Sequence, residues 1–101
     1  MEILSKNEKY FKNAKGYINI GCFKRAKYYL KLAKKWHYDK ERVYLLEGII
    51  LLYKMNIARA FETFQRVLTF PKKTPEVYYY IGKCFKYFGN EDEAFDHFAK
   101  A

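Results

Sequence analysis

At 101 residues the chain is one domain's worth of protein, long enough to bury a core without disulfides once its elements stack. Half of its residues are apolar and 31% are charged, a balance that argues against a disordered chain or a membrane span and for a soluble folded domain. The net charge of +9 is unevenly placed, with +8 on residues 1–40, +3 on residues 41–74 and −2 on residues 75–101, so a basic head precedes a mildly acidic tail.

Met1 to Leu4 is not a signal peptide, because the apolar stretch ends at once in Ser5, Lys6 and Asn7. Ser5 with Glu8 forms a capping-box pattern that opens a helix over residues 5–19. Gly21 then supplies a turn in which a left-handed backbone is cheap only for glycine. The next helix, residues 22–36, carries Lys24, Arg25, Lys27, Lys31, Lys34 and Lys35 with Tyr28, Tyr29 and Trp36 between them. A third helix over residues 41–54 holds the longest apolar stretch, Val43 to Tyr53, which Glu47 interrupts and which is too short to cross a bilayer. Met55 occupies the following turn and Asn56 is an N-cap for a helix over residues 57–69. Thr74 and Pro75 read as an N-cap followed by proline in the first helical position of residues 75–88. Gly89 repeats the role of Gly21, and Asn90 with Glu93 is a capping box for a last helix over residues 91–101. Glu91, Asp92, Glu93 and Asp96 crowd its start, where acids complement the helix dipole.

These elements recur. An offset of 34 residues aligns Tyr10, Tyr44 and Tyr78; Ala14, Gly48 and Gly82; and Tyr17, Leu51 and Phe85, all without insertion or deletion. The same offset aligns Ala26, Ala60 and Ala94; Leu30, Phe64 and Phe98; and Ala33, Val67 and Ala101. Each unit reads as two amphipathic helices in which small and large residues alternate, so that knobs on one helix meet gaps on the other. One pair cannot bury both its faces, whereas three stacked pairs can. The sequence thus predicts an all-α fold of three helix-turn-helix repeats, at about 7–40, 41–74 and 75–101, in one domain over 1–101.

The period, together with Tyr78, Ile81, Gly82, Phe85, Gly89, Ala94, Phe98 and Ala101, resembles the tetratricopeptide repeat signature over nearly the whole chain. The third copy matches best; the first has Asn13, and the second Glu47, where the family pattern has leucine. Pentatricopeptide and Sel1-like repeats have slightly longer periods and rank below it. The resemblance implies a right-handed superhelix, an α-solenoid, whose concave face is lined by the first helix of each repeat, and a scaffold that holds a protein or peptide. The groove positions it implies are Glu8, Phe11, Lys12, Lys15, Ile18 and Asn19 in the first repeat and Arg42, Leu45, Leu46, Ile49, Leu52 and Tyr53 in the second. In the third they are Glu76, Tyr79, Tyr80, Lys83, Lys86 and Tyr87. Some members grip a terminal carboxylate with a clamp of Lys, Asn and Arg, but the corresponding sites here hold Phe11, Lys15, Leu46, Glu76 and Tyr80, of which only Lys15 is cationic. Leucines flanked by tyrosines and lysines suit instead an acidic or amphipathic segment.

Arrays of this family usually end in a capping helix, and none follows the third repeat in this sequence, so either it is a piece of a longer array or Phe85, Phe88, Phe95 and Phe98, exposed in part, invite self-association, head to tail or about a two-fold axis. The alternative function is nucleic-acid binding through the basic first half, although its cations spread around the second helix and read more simply as a solvated face. Lipid binding is disfavoured because Ala26, Leu30 and Ala33 belong to the repeat core. Catalysis is not expected: His37 and His97 lie sixty residues apart, with no nucleophile motif or phosphate loop near either. Cys22 and Cys84 have no CxxC or CxxH spacing and read as reduced structural thiols, so neither metal nor cofactor is expected, and a cytoplasmic location is the default.

Overall fold

The structure, a computed structural model, describes residues 6–36, 39–72 and 74–101. They form an all-helical fold: α1 (Lys6–Asn19), α2 (Phe23–Lys35), α3 (Lys40–Tyr53), α4 (Ile57–Val67), α5 (Glu76–Tyr87) and α6 (Glu91–Lys100). The starts of α2, α4 and α6 keep the 34-residue period, because each follows a turn with a left-handed residue at the same place: Gly21 at φ 80°, Met55 at φ 63° and Gly89 at φ 82°. In each turn the residue after the left-handed one donates its amide to a carbonyl five residues back, as in Cys22 to Tyr17 at 2.8 Å and Asn90 to Phe85 at 2.9 Å. Those bonds satisfy carbonyls that the helix end leaves unpaired.

The caps agree with the sequence reading in part. Asn90 Oδ1 accepts from the Glu93 amide at 3.2 Å, as a capping box requires. Asn56 precedes α4, but its side chain makes no cap bond. Thr74 does not cap α5; Pro75 takes that place, because the Thr74 amide and hydroxyl are both drawn to the Glu41 carboxylate on α3. The Ser5 cap and His37 lie outside the described residues.

Helices pack in sequential pairs, α1 on α2, α3 on α4 and α5 on α6, and the pairs join in chain order through α2 on α3 and α4 on α5. Within the pairs, small residues admit large ones. Phe64 of α4 is fully buried against Gly48 of α3, and the Phe98 ring lies over Gly82 of α5. The central helix α3 touches α1, α2, α4 and α5 and buries Val43, Leu45, Leu46, Ile49, Ile50 and Leu52, so it is apolar nearly all round. This explains the long apolar stretch: α3 is the middle of a core. Among the described residues no helix is long and apolar enough to cross a membrane. In α1 the positions equivalent to buried Val43 and Ile50 hold exposed Lys9 and Gly16, because α1 has neighbours on fewer sides.

The two junctions between pairs differ. At α4 and α5, Phe61 meets Phe85 and Phe88 edge-on at ring distances of 5.3 and 5.8 Å, and Phe64 stacks on Tyr80 at 5.6 Å. Burying such rings contributes about 1.5–3 kcal/mol each. At α2 and α3 the residues 34 positions before Phe61, Phe85 and Phe88 are Lys27, Leu51 and Lys54, so no ring stands at those three places, and the aromatic contact across this junction is Phe23 on Tyr53 at 5.9 Å.

Candidate binding groove

The first helices α1, α3 and α5 lie side by side, since α1 touches α3 and α3 touches α5. Their start is braced at α3. Asp39 Oδ1 accepts from the Glu41 amide at 3.1 Å, which caps the helix. The Glu41 side chain is buried, and its Oε2 accepts from the Thr74 amide at 3.2 Å and from the Thr74 hydroxyl. The entry to α5 is thereby tied to the entry to α3. Glu41 Oε1 is buried with no hydrogen-bond partner among the described residues, where Thr74 supplies the carboxylate's compensation.

Across these three helices runs a cavity of about 330 Å³. Its floor is apolar, from Ile18, Leu45, Leu46 and Ile49, all nearly closed off from solvent. Its walls include Phe11, Tyr53 and Tyr80; the Tyr53 ring stacks on Phe23 at 5.9 Å and the Tyr80 ring on Phe64 at 5.6 Å, so packing holds both in place. Burial, with Tyr53, Glu76 and Tyr79 nearby, raises the Tyr80 pKa above the usual tyrosine range. The rim has mixed charge. Asp39 pairs with Lys72 at 3.2 Å and approaches Arg42 at 4.0 Å, whereas Lys15 makes no ion pair among the described residues.

Of the groove residues expected from the sequence, this cavity brings together Phe11, Lys15, Ile18, Asn19, Arg42, Leu45, Leu46, Ile49, Tyr53, Glu76 and Tyr80. Leu45, Leu46 and Ile49 contribute a floor and little free surface, because the neighbouring helices cover most of each. Glu8, Lys12, Leu52, Tyr79, Lys83, Lys86 and Tyr87 do not line it. Tyr79 instead turns toward α6, with its ring 5.6 Å from Phe98, and Lys83 Nζ sits 5.1 Å above the Tyr79 ring. Lys86 shares a shallow hollow with Phe95 and Phe98. The sequence reading missed Asp39, Lys72 and Thr74 as lining residues. Asp39 could have been found, since it stands 34 positions after Ser5 and is thus the equivalent N-cap.

The four phenylalanines proposed for self-association separate as well. Phe85 is held between Phe61 and His97, at 5.3 and 5.0 Å, and Phe98 is half-buried over Gly82. Phe88 is 51% exposed but leans on Phe61. Phe95, 72% exposed, is the ring that projects freely. Of the cationic run on α2, Lys34 pairs with Glu47 at 3.2 Å and Arg25 lies over the Tyr17 ring at 5.7 Å. Cys22 is exposed and Cys84 is buried, where desolvation pushes its thiol pKa up to about 11. No group of metal-ligating side chains occurs among the described residues. Comparison with known proteins finds no matching family model, no matching curated protein and no matching solved structure.

Proposed function

We propose that the chain is a tetratricopeptide-type helical repeat protein, an α-solenoid of three units, that holds an extended peptide segment in the cavity across α1, α3 and α5. One observation carries this reading. The five positions at which the repeat family places its peptide clamp, occupied here by Phe11, Lys15, Leu46, Glu76 and Tyr80, all line the same cavity. Its chemistry differs from that clamp: Phe11, Glu76 and Tyr80 stand at the cation sites, Leu46 at one asparagine site, and Lys15 at the other, where it supplies a cation that no acid pairs with among the described residues.

The dimensions narrow the ligand. A volume of about 330 Å³ is at the low end for ligand sites, and a helix with its side chains is about 10 Å across. The cavity therefore takes one or two large apolar side chains of an extended segment, with an acidic residue beside them to meet Lys15. The Tyr80 hydroxyl can donate to a peptide carbonyl, and the Tyr53 ring offers contact area at low entropic cost.

A peptide library displayed on phage, selected against the folded protein, tests this. Enrichment of an acidic residue next to a large apolar one is expected, with affinity at least about tenfold weaker for a Lys15→Glu/Tyr53→Ala variant that keeps its helical spectrum. Selected peptides that bind the variant equally well would place the site elsewhere.

A further inference from the structure

A second cavity, of about 250 Å³, opens between α2, α3 and α4, and it has the opposite character. Lys27 and Lys31 of α2 and Arg59 of α4 stand around a floor of Leu30, Ile50 and Leu51. Lys54, which follows α3, is close enough to Lys27 for its charge to act on it. Glu47 is the acid that lines this cavity, and both its oxygens are engaged by Lys34 at 3.2 and 3.3 Å. Lys27, Lys31 and Arg59 thus line the cleft with Lys54 close by, and among the described residues the acid that lines it is already paired with Lys34.

The chain itself shows that packing did not demand this. At the next junction the positions equivalent to Lys27, Leu51 and Lys54 are Phe61, Phe85 and Phe88, which close the corresponding gap with three rings. The residue equivalent to Arg59 is Glu93, which suits the first turn of a helix, whereas Arg59 puts a cation where the α4 dipole opposes it and no acid shares that turn. The nearby Lys54, then slight desolvation, then Arg59 and Lys31 hold the pKa of the exposed Lys27 below the usual lysine range. Each neighbour that acts on it is a cation. An arrangement that costs stability on two counts, repulsion and an unfavourable helix end, is the kind a ligand of opposite charge offsets.

We propose that the α2–α3–α4 cleft binds the phosphate of a small phosphate-bearing molecule, through Lys27, Lys31, Lys54 and Arg59. The guanidinium of Arg59 offers a two-pronged contact to phosphate oxygens and the lysines act as movable point charges. The volume accepts one or two phosphate groups, so the rest of the molecule stays at the mouth, against the hydrocarbon stems of the lysines and Leu51. This site does not depend on the peptide reading of the groove.

Pyrophosphate is the probe, titrated by calorimetry and thermal unfolding into the full chain at constant ionic strength. A saturable rise in melting temperature is expected, because a ligand of the folded state stabilises it by mass action. Lys27→Gln/Arg59→Gln should weaken binding at least about tenfold, since two charge-assisted contacts are lost. Lys27→Phe/Lys54→Phe, which copies the second junction, should melt at or above the wild-type temperature and ignore pyrophosphate. Lys9→Gln/Lys35→Gln, which removes two exposed lysines outside the cleft, should respond as the wild type does. No saturable response in the wild type, or an equal loss in this last variant, overturns the proposal. So does binding of a single-stranded RNA oligonucleotide without binding of pyrophosphate, which would indicate a strand tracked over the basic face.

Discussion

Substitution of Gly48 by alanine puts the packing between paired helices to its sharpest test. A Cβ at Gly48 would lie 2.5 Å from Phe64 Cε1, 2.8 Å from Cδ1 and 2.9 Å from Cζ, where carbon atoms normally rest at about 3.5–4.0 Å. The Phe64 ring cannot yield, because it is fully buried and stacked on Tyr80. Overpacking of this kind costs about 1–3 kcal/mol, and alanine in a helix interior returns about 0.5–1 kcal/mol. The net expected loss is about 1–2 kcal/mol, a fall of roughly 5–15 °C in melting temperature for a domain of this size. The same substitution at Gly82 meets Phe98 Cε1 at 2.6 Å and Ala94 O at 3.0 Å. Phe98 is only half-buried on the last helix, so its ring can swing outward and the net change there should stay below about 1 kcal/mol. The first pair holds Ala14 and Leu30 at the equivalent positions, both buried. Gly48→Ala/Phe64→Leu copies that combination and should be more stable than the sum of the single changes by about 1 kcal/mol. Urea unfolding followed by circular dichroism measures the wild type, Gly48→Ala, Gly82→Ala, Phe64→Leu and the double variant. A Gly48→Ala protein as stable as the wild type, or strictly additive changes, would refute the knob-and-gap account.

Met55→Gly should stabilise the chain by about 0.5–1 kcal/mol in the same assay, because Met55 holds a left-handed backbone at φ 63° that glycine adopts freely and its side chain is largely exposed. Thr74→Val removes the hydroxyl that compensates the buried Glu41 carboxylate and should cost about 1–3 kcal/mol, read from the urea midpoint. Brief alkylation with N-ethylmaleimide at pH 7.5 should modify exposed Cys22 alone, with Cys84 reacting only after denaturation, as mass spectrometry of peptides will report. Because the Cys84 pKa is raised from 9.0 to about 11 on folding, its stabilising contribution is complete below pH 9 and is lost as pH rises toward 11; Cys84→Ser should flatten that part of the stability profile. If copies associate through the C-terminal end, sedimentation velocity will show mass rising with concentration for the wild type and not for Phe95→Asp, since Phe95 is the ring that projects freely; equal behaviour of the two would move any association elsewhere.

The helices were legible from the sequence because their causes are local. Turn and cap residues place the starts of the second helices at 22, 57 and 91, and the observed starts are Phe23, Ile57 and Glu91. Turn glycines and the Asn90 cap act through backbone bonds a few residues away, so spacing alone reveals them. The all-helical class followed from the same periodicity. What failed locally failed for a long-range reason: Thr74 is a good N-cap by type, but Glu41, 33 residues earlier, claims its hydroxyl and amide.

The binding surfaces were less legible. Periodicity says which residues share a face of a helix, and the resemblance to the tetratricopeptide repeat implied eleven of the cavity's lining residues as groove positions. It does not say which neighbouring helix covers that face. For that reason Leu45, Leu46 and Ile49 became a closed floor, and Tyr79, Lys83 and Lys86 turned toward α6. The cation run of α2 looked like a solvated stripe because its charges were counted along one helix. Only the packing of α2 against the end of α3 and the start of α4 brings Lys54 and Arg59 to Lys27. Repeat period, helix boundaries and the alternation of small and large core residues are thus properties of the chain written in order. Which side chains converge from different repeats is a property of the stacked helices, since charge and shape act through space and not along the sequence.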